Sequence, residues 1–379
     1  MYSISSPRRG AKARPPTGAS APPPPGREYS FMVKPLPGEG IMEMFDRLAV
    51  ALKEKETTPA HLMVFGSVRA HPAADEAMRR VFGRVEWPVT WVEGSAHGEH
   101  PIAGAQAFAF SAGRVNPVTL HGRVVGSVFE EGGIRHCLVG GLGPDSRVVS
   151  RPDQFRQTLD NLEAALEQAG FALGDVVRTW FYLDHLLSWY GAFNEVRSGA
   201  YARVPFRSGS LPASTGISAR NPAGTALVAA ARALQPLHPA ARVAEVSSPL
   251  QCSARAYGSS FSRAMEIASL HGRRLLISGT ASIAPGGRTL WAGNLSRQME
   301  RTMEVVGAIL ASRGFGFSDI TRATAYFKRR ADIPALAAWC AGRGLSTLPA
   351  IAAECGICRD DLLFELEADA WKKTRTIMT

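Results

Sequence analysis

The chain has 379 residues, 45% of them hydrophobic and 20% charged, a globular composition long enough for one large domain or two ordinary ones. Half of its net charge of +10 sits at the start, where Arg8, Arg9, Lys12, Arg14 and Arg27 precede the first acidic residue, Glu28. The remainder is mildly basic, which argues against a nucleic-acid partner and suits a small anionic ligand.

Residues 1–39 read as a disordered tail, rich in Arg, Ser and Ala up to residue 27, with prolines at 22–25. Organellar transit peptides share that composition, but no amphipathic apolar stripe accompanies it here. A first domain is expected over 40–236 and a second over 237–379. The first opens with a helix at Met42–Leu52, a strand at 61–68, another helix, and a strand at 89–92.

From there the chain repeats itself. The stretch Gln154–Asp184 matches Gln298–Lys328 at an offset of 144 without a gap. Gln154, Thr158, Leu166, Gly170 and Phe171 recur as Gln298, Thr302, Leu310, Gly314 and Phe315. Further on, Asp175, Arg178 and Tyr182 recur as Asp319, Arg322 and Tyr326. So many identities in one register mean a duplication. Each copy predicts a glycine-bearing strand (136–143; 274–283), then a helix ending at Gly170 or Gly314. A strand rich in β-branched and aromatic residues follows, then a second helix (Trp189–Tyr201; Ile333–Gly342), a Leu-Pro-Ala segment and a closing strand (225–234; 362–370). The turn Pro285-Gly286-Gly287 predicts a hairpin partner for the strand before it. The fold class is therefore α+β, with mixed sheets carrying helices on one face, and Gly40–Glu93 reads as a worn fragment of the same unit.

The second copy resembles the RidA/YjgF family, with its SGT strand at 278–280 and a closing strand Phe364-Glu365-Leu366-Glu367-Ala368. More specifically, LPASTGISARNPAGTALV (211–228), SPLQCSARAYGSSFSRA (248–264), LISGTASI (276–283) and CRDDLLFELEA (358–368) resemble the chorismatases. With IAGAQAFA (102–109), the resemblance spans roughly residues 40–371. It implies a duplicated RidA/YjgF-like (chorismate-mutase-like) fold and hydrolysis of the enolpyruvyl ether of chorismate to pyruvate, without a cofactor. The ring product implied is 3-hydroxybenzoate, alone or together with 4-hydroxybenzoate. The alternatives are a hydrolase stopping at the dihydroxycyclohexadiene carboxylate, a RidA-like imine hydrolase, or a small-molecule binder. Family members that hydrolyse imines carry an Arg just after the Pro-Ala; here Pro349-Ala350 is followed by Ile351, which disfavours that chemistry.

Hydrolysing an enol ether requires protonation of a carbon, hence a carboxylic acid still protonated near neutral pH, and burial is the usual way to raise a carboxyl pKa. Strand alternation puts Glu365 and Glu367 on one face, so pattern alone does not choose between them. The resemblance selects Glu365 as the acid. The first copy's closing strand, TALVAAARAL, has no carboxylate. For the substrate's two carboxylates, Arg263 with the neighbouring hydroxyl of Tyr257 is the first choice. Tyr182, Thr280 and Ala281 complete the expected binding set. The repeat-matched Arg178 and Arg322 suit an ion pair between the copies. By resemblance, Cys358 marks the branch that aromatises the ring.

Other motifs carry less. Five cysteines (137, 252, 340, 355 and 358), an odd number, suggest a reducing cytoplasm and not a disulfide framework. Cys355-Gly-Ile-Cys358 lacks a second ligand pair for zinc, and His97-Gly-Glu-His100 reads as a solvated loop, so no metal is expected. Ser214-Thr215-Gly216 reads as a turn. No Gly-rich phosphate loop follows a strand, and no apolar run is long enough for a membrane span. A duplication plus a partial third unit makes a monomer plausible, where single-domain relatives form trimers.

Overall fold

The computed structural model describes residues 26–95, 98–111, 113–345 and 348–373. The helices form where apolar side chains recur every three or four residues and where local caps start and stop them. In the two copies these are α3 (Arg151–Gln168) and α5 (Leu295–Ser312), numbered within the whole chain. The Ser150 hydroxyl accepts from the Asp153 amide and the Asn294 side chain from the Arg297 amide, caps worth about 1 kcal/mol each. Beyond the last turns, Gly170 and Gly314 take φ of 71° and 74°, which a side chain would resist. Phe155, Leu159, Leu162 and Leu166 of α3, and Met299, Met303, Val306 and Leu310 of α5, lie buried against the sheets.

The chain builds three sheets in sequence. The first holds β1 (Glu28–Val33), α1 (Ile41–Glu54), β2 (Thr57–Gly66), α2 (His71–Phe82), β3 (Val89–Val92) and β4 (Ile102–Ser111). The second holds β5 (Asn116–Leu120), β6 (Arg123–Glu131), β7 (Ile134–Leu142), α3, β8 (Val176–Leu183), α4 (Tyr190–Tyr201), β9 (Ala213–Ser218) and β10 (Leu227–Pro236). The third repeats that order: β11 (Arg242–Val246), β12 (Ala264–Ala268), β13 (Gly272–Ala281), α5, β14 (Ile320–Phe327), α6 (Ala335–Ala341), β15 (Ala350–Glu354) and β16 (Phe364–Lys373).

The two six-stranded sheets run β5-β6-β7-β10-β8-β9 and β11-β12-β13-β16-β14-β15; the four-stranded one runs β1-β4-β2-β3. Those four strands match the last four of the larger sheets in order and direction. In each sheet the closing strand pairs antiparallel with both neighbours, and the edge strand joins in parallel. The leading fragment is therefore the same unit without its first two strands.

Two expectations are corrected. Residues 28–33, assigned to the tail, form β1, whose Glu28 pairs with Phe110. After Pro285-Gly286-Gly287 only a single bridge forms, Ile283 to Thr289, and β13 pairs instead with β12 and β16. Helix α4 and strands β8 and β14 lie where the sequence places them.

The sheets meet at their inner faces around one ring from each: Phe65, Tyr182 and Tyr326. Phe65 stands edge-on to the tyrosines at 6.1 and 6.2 Å, and the two hydroxyls lie 3.2 Å apart. Ion pairs are buried between the sheets as well. Glu28 of β1 meets Arg232 of the second sheet and Arg274 of the third, the latter at 3.3 Å. No helix among the described residues is long and apolar enough to cross a membrane.

Candidate active site

Where the second and third sheets abut, β9 lies against β13. The ladder between β13 and β16 is irregular between Ile277 and Thr280, and beyond it Ala281 stands opposite Glu365. Gly279 makes room for that carboxyl, since a Cβ there would fall 2.0 Å from Glu365 Oε1. Beside it opens a cavity of about 490 Å³, walled by α4 and β9 on one side and by the 257–263 segment, β13 and β16 on the other. Neither copy alone contains it.

The structure separates the two glutamates that strand alternation leaves equivalent. Glu367 is ringed by partners: Arg178 Nη2 donates to it at 2.6 Å, Arg322 Nη1 at 2.9 Å, the Thr215 hydroxyl at 2.5 Å and the Trp180 indole at 2.9 Å. Burial alone would raise its pKa, but Arg322 and Arg178, with these hydrogen bonds, hold it below the ordinary value, so it is a permanent anion. Glu365 faces the cavity, 4% exposed. Burial pushes its carboxyl up to about 8, and the charge of Glu367 adds to the rise against the opposing pull of Arg178 and Arg263. It is a neutral acid at pH 7 with room in front of it.

Two guanidiniums line the same cavity without a carboxylate in ion-pair reach among the described residues. Arg263 donates from Nε to the Cys252 carbonyl at 3.1 Å, while its Nη2 has no partner. It packs over the rings of Tyr257 and Phe261 at 5.4 and 5.5 Å. Arg197 of α4, 3% exposed, is held by Asn194 Oδ1 at 2.7 Å and lies over Phe193 at 4.8 Å, with Nε unpartnered. A buried cation without a counter-ion costs several kcal/mol, and an anionic ligand relieves that cost. Arg359 joins the rim, tied to the Gly287 carbonyl at 2.5 Å.

Of the expected site residues, Glu365, Cys358, Arg263, Tyr257 and Ala281 all line this cavity. Burial, and then the Glu365 carboxyl, pushes the Cys358 thiol up to about 12, so it stays a neutral thiol. Burial also pushes Tyr257 up to about 12. Two expectations are corrected. Tyr182 lies in the central core, bonded to Tyr326 and fully buried away from the cavity. Thr280 alternates to the opposite face from Gly279 and Ala281, its hydroxyl donating to the Ser278 carbonyl.

Arg178 bridges the copies as expected, through Glu367, and Arg322 joins the same cluster. Ser214-Thr215-Gly216 is not a turn but part of β9, where Ser214 lines the cavity. The Pro-Ala segment beside Glu365 is therefore that of the first copy, followed by Ser214. Ile351 sits elsewhere, packed where a Cβ on Gly104 would fall 2.3 Å from its Cδ1. No arginine occupies the position in either copy. Tyr190, Asn194 and Arg197 were missed by sequence reasoning because α4 reads as an ordinary amphipathic helix. Cys355 and Cys358 are both free thiols; His97 lies outside the described residues, and no cluster of metal-ligand type occurs among the described ones.

Comparison with known proteins agrees with this architecture. Residues 141–228 match the family model Endoribonuclease L-PSP. A Chorismatase of Streptomyces hygroscopicus is 27% identical over 215 residues, covering 51% of this chain and 60% of the relative. The chain thus spans about 60% of the length of that relative. A 3-hydroxybenzoate synthase of the same organism is 24% identical over 274 residues, 65% of this chain and 77% of the relative. A crystal structure of a chorismatase superposes with a TM-score of 0.65 at 20% identity, covering 92% of this chain and 99% of that one. The fold is the α+β chorismatase architecture, built from RidA-like units. In sequence the chain is similar to the two Streptomyces proteins, and in fold to the chorismatase structure.

Proposed function

We propose that the chain is an enzyme that hydrolyses the enolpyruvyl ether of chorismate, releasing pyruvate and, as ring product, 3-hydroxybenzoate. The observation that carries the reading is a neutral Glu365 facing a cavity flanked by two buried arginines that lack counter-ions. A dianion with an acid-labile enol ether is the ligand such a cavity suits. Arg263 and Arg197 take its carboxylates, and Glu365 gives its proton to the terminal methylene carbon. The electron pair of the carbon–carbon double bond forms the new C–H bond, leaving an oxocarbenium ion. Water adds to that ion and loses a proton, and the resulting hemiketal collapses to pyruvate and a ring alcohol. Loss of the neighbouring ring hydroxyl as water then gives the aromatic acid, so one water enters and one leaves.

Similarity to a protein named 3-hydroxybenzoate synthase and the presence of Cys358 at the cavity wall support the aromatic product. The three sheets pack around a shared core within one chain, which supports a monomer. Soluble placement in a reducing compartment and cofactor-free turnover belong to the same proposal. Purified protein incubated with chorismate, without added metal or nucleotide, should yield pyruvate and 3-hydroxybenzoate by chromatography. Pyruvate with a non-aromatic diol would retain the reaction and remove the aromatisation step. No pyruvate would leave a ligand-binding role in its place.

A further inference from the structure

We propose that Thr215 is a positioning residue for Glu365: its hydroxyl, reaching across from the second sheet, fixes Gly279 and Glu367 on either side of that carboxyl. The proposal rests on the acid role given to Glu365 above and extends it to a residue that need not touch substrate.

Thr215 is 1% exposed, and every bonding direction of its hydroxyl is occupied. Oγ1 accepts from Arg178 Nη2 at 2.7 Å and from the Gly279 amide at 3.1 Å, and donates to Glu367 Oε2 at 2.5 Å. Its one hydrogen is thereby committed to Glu367, so Thr215 stabilises the anion there and offers nothing to a charged Glu365. The amide contact pins β13 to β9 at the glycine that Glu365 overlies. The Thr215 methyl completes the enclosure, since Cγ2 lies 3.3 Å, and Glu365 Oε1 2.0 Å, from the point where a Gly279 Cβ would stand. One side chain thus sorts the two carboxyls of β16, holding one as an anion and the other dry and neutral.

Thr215→Val keeps the shape and the methyl but removes the hydroxyl. The Gly279 amide loses its acceptor and Arg178 Nη2 keeps only Glu367, the contact of β13 with β9 at Gly279 is loosened, and water reaches Glu365. The test is infrared difference titration of the protonated carboxyl band of the full chain, assigned by its absence in Glu365→Gln, alongside the pH profile of pyruvate release. In Thr215→Val the band should titrate roughly one pH unit lower than in the parent, towards the ordinary carboxyl value. The turnover number should fall about tenfold or more, within what a positioned acid supplies, with KM moved far less. Thr215→Ser, which keeps every hydrogen bond, should titrate close to the parent. A folded Thr215→Val whose band titrates with the parent's overturns the proposal, and so does a Thr215→Ser that shifts as far as the valine variant. If the parent releases no pyruvate while the band still depends on the hydroxyl, the positioning stands and the reading of the reaction falls.

Discussion

At the scale of the residue, the site turns on two glutamates two positions apart with opposite protonation. Among the described residues Glu365 has no cation in bonding reach, and its carboxyl is raised to about 8; Glu367 is saturated with donors. This has a consequence for stability. A carboxyl raised from 4.5 to about 8 leaves the folded protein holding a proton that the unfolded chain has released across that range. Its contribution is fully present below pH 4.5 and is lost as pH rises towards about 8. Glu365→Gln should remove that slope, so its advantage over the parent in urea midpoints should grow between those limits and then level off. A constant difference across the range would contradict the neutral assignment. Gly279→Ala should fold but release pyruvate far more slowly, because the new methyl displaces the carboxyl it would meet at 2.0 Å. Near-parental turnover there would contradict the placement of Glu365.

At the scale of the element, the joint between β9, β13 and β16 carries both the chemistry and a buried ion cluster. Glu367→Gln leaves Arg178 and Arg322 facing a neutral group at 0% exposure. Loss of one member of such a pair costs about 3–5 kcal/mol, so chemical denaturation should show a large drop in stability; a drop below about 1 kcal/mol would contradict the cluster's role. The helices and strands of the two copies were legible because their signals are local: apolar spacing, capping residues and terminal glycines. Identities such as Arg178/Arg322 and Tyr182/Tyr326 also announced residues doing the same job twice, here core and ion pairing and not ligand binding. What stayed hidden depends on partners far away in the chain. Arg197 reads as a helix cation until α4 is seen against the 257–263 segment, and Ser214-Thr215 reads as a turn until β9 is paired with β8. The register irregularity between Ile277 and Thr280, beyond which Ala281 stands opposite Glu365, leaves no mark in the sequence.

At the scale of the whole molecule, three related sheets meet at their inner faces around Phe65, Tyr182 and Tyr326, yet the candidate site develops at one of their three junctions. On β10, Val228 pairs with Tyr182 as Glu365 of β16 pairs with Tyr326, so the second sheet presents an apolar side chain where the third presents its acid. On β4, Gly104 pairs with Phe65, and Ile351 fills the space before it. With the sheets meeting inside one chain, light scattering should return the mass of a single chain at micromolar concentration. A stable dimer or trimer would contradict this closed arrangement. The most direct test of Glu365 as the proton donor is the pH dependence of pyruvate release from chorismate by the parent protein. The rate should be flat through neutrality and fall tenfold per unit above about 8, as the acid ionises. A rate that already falls through pH 4–5, the range of an ordinary carboxyl, would contradict it.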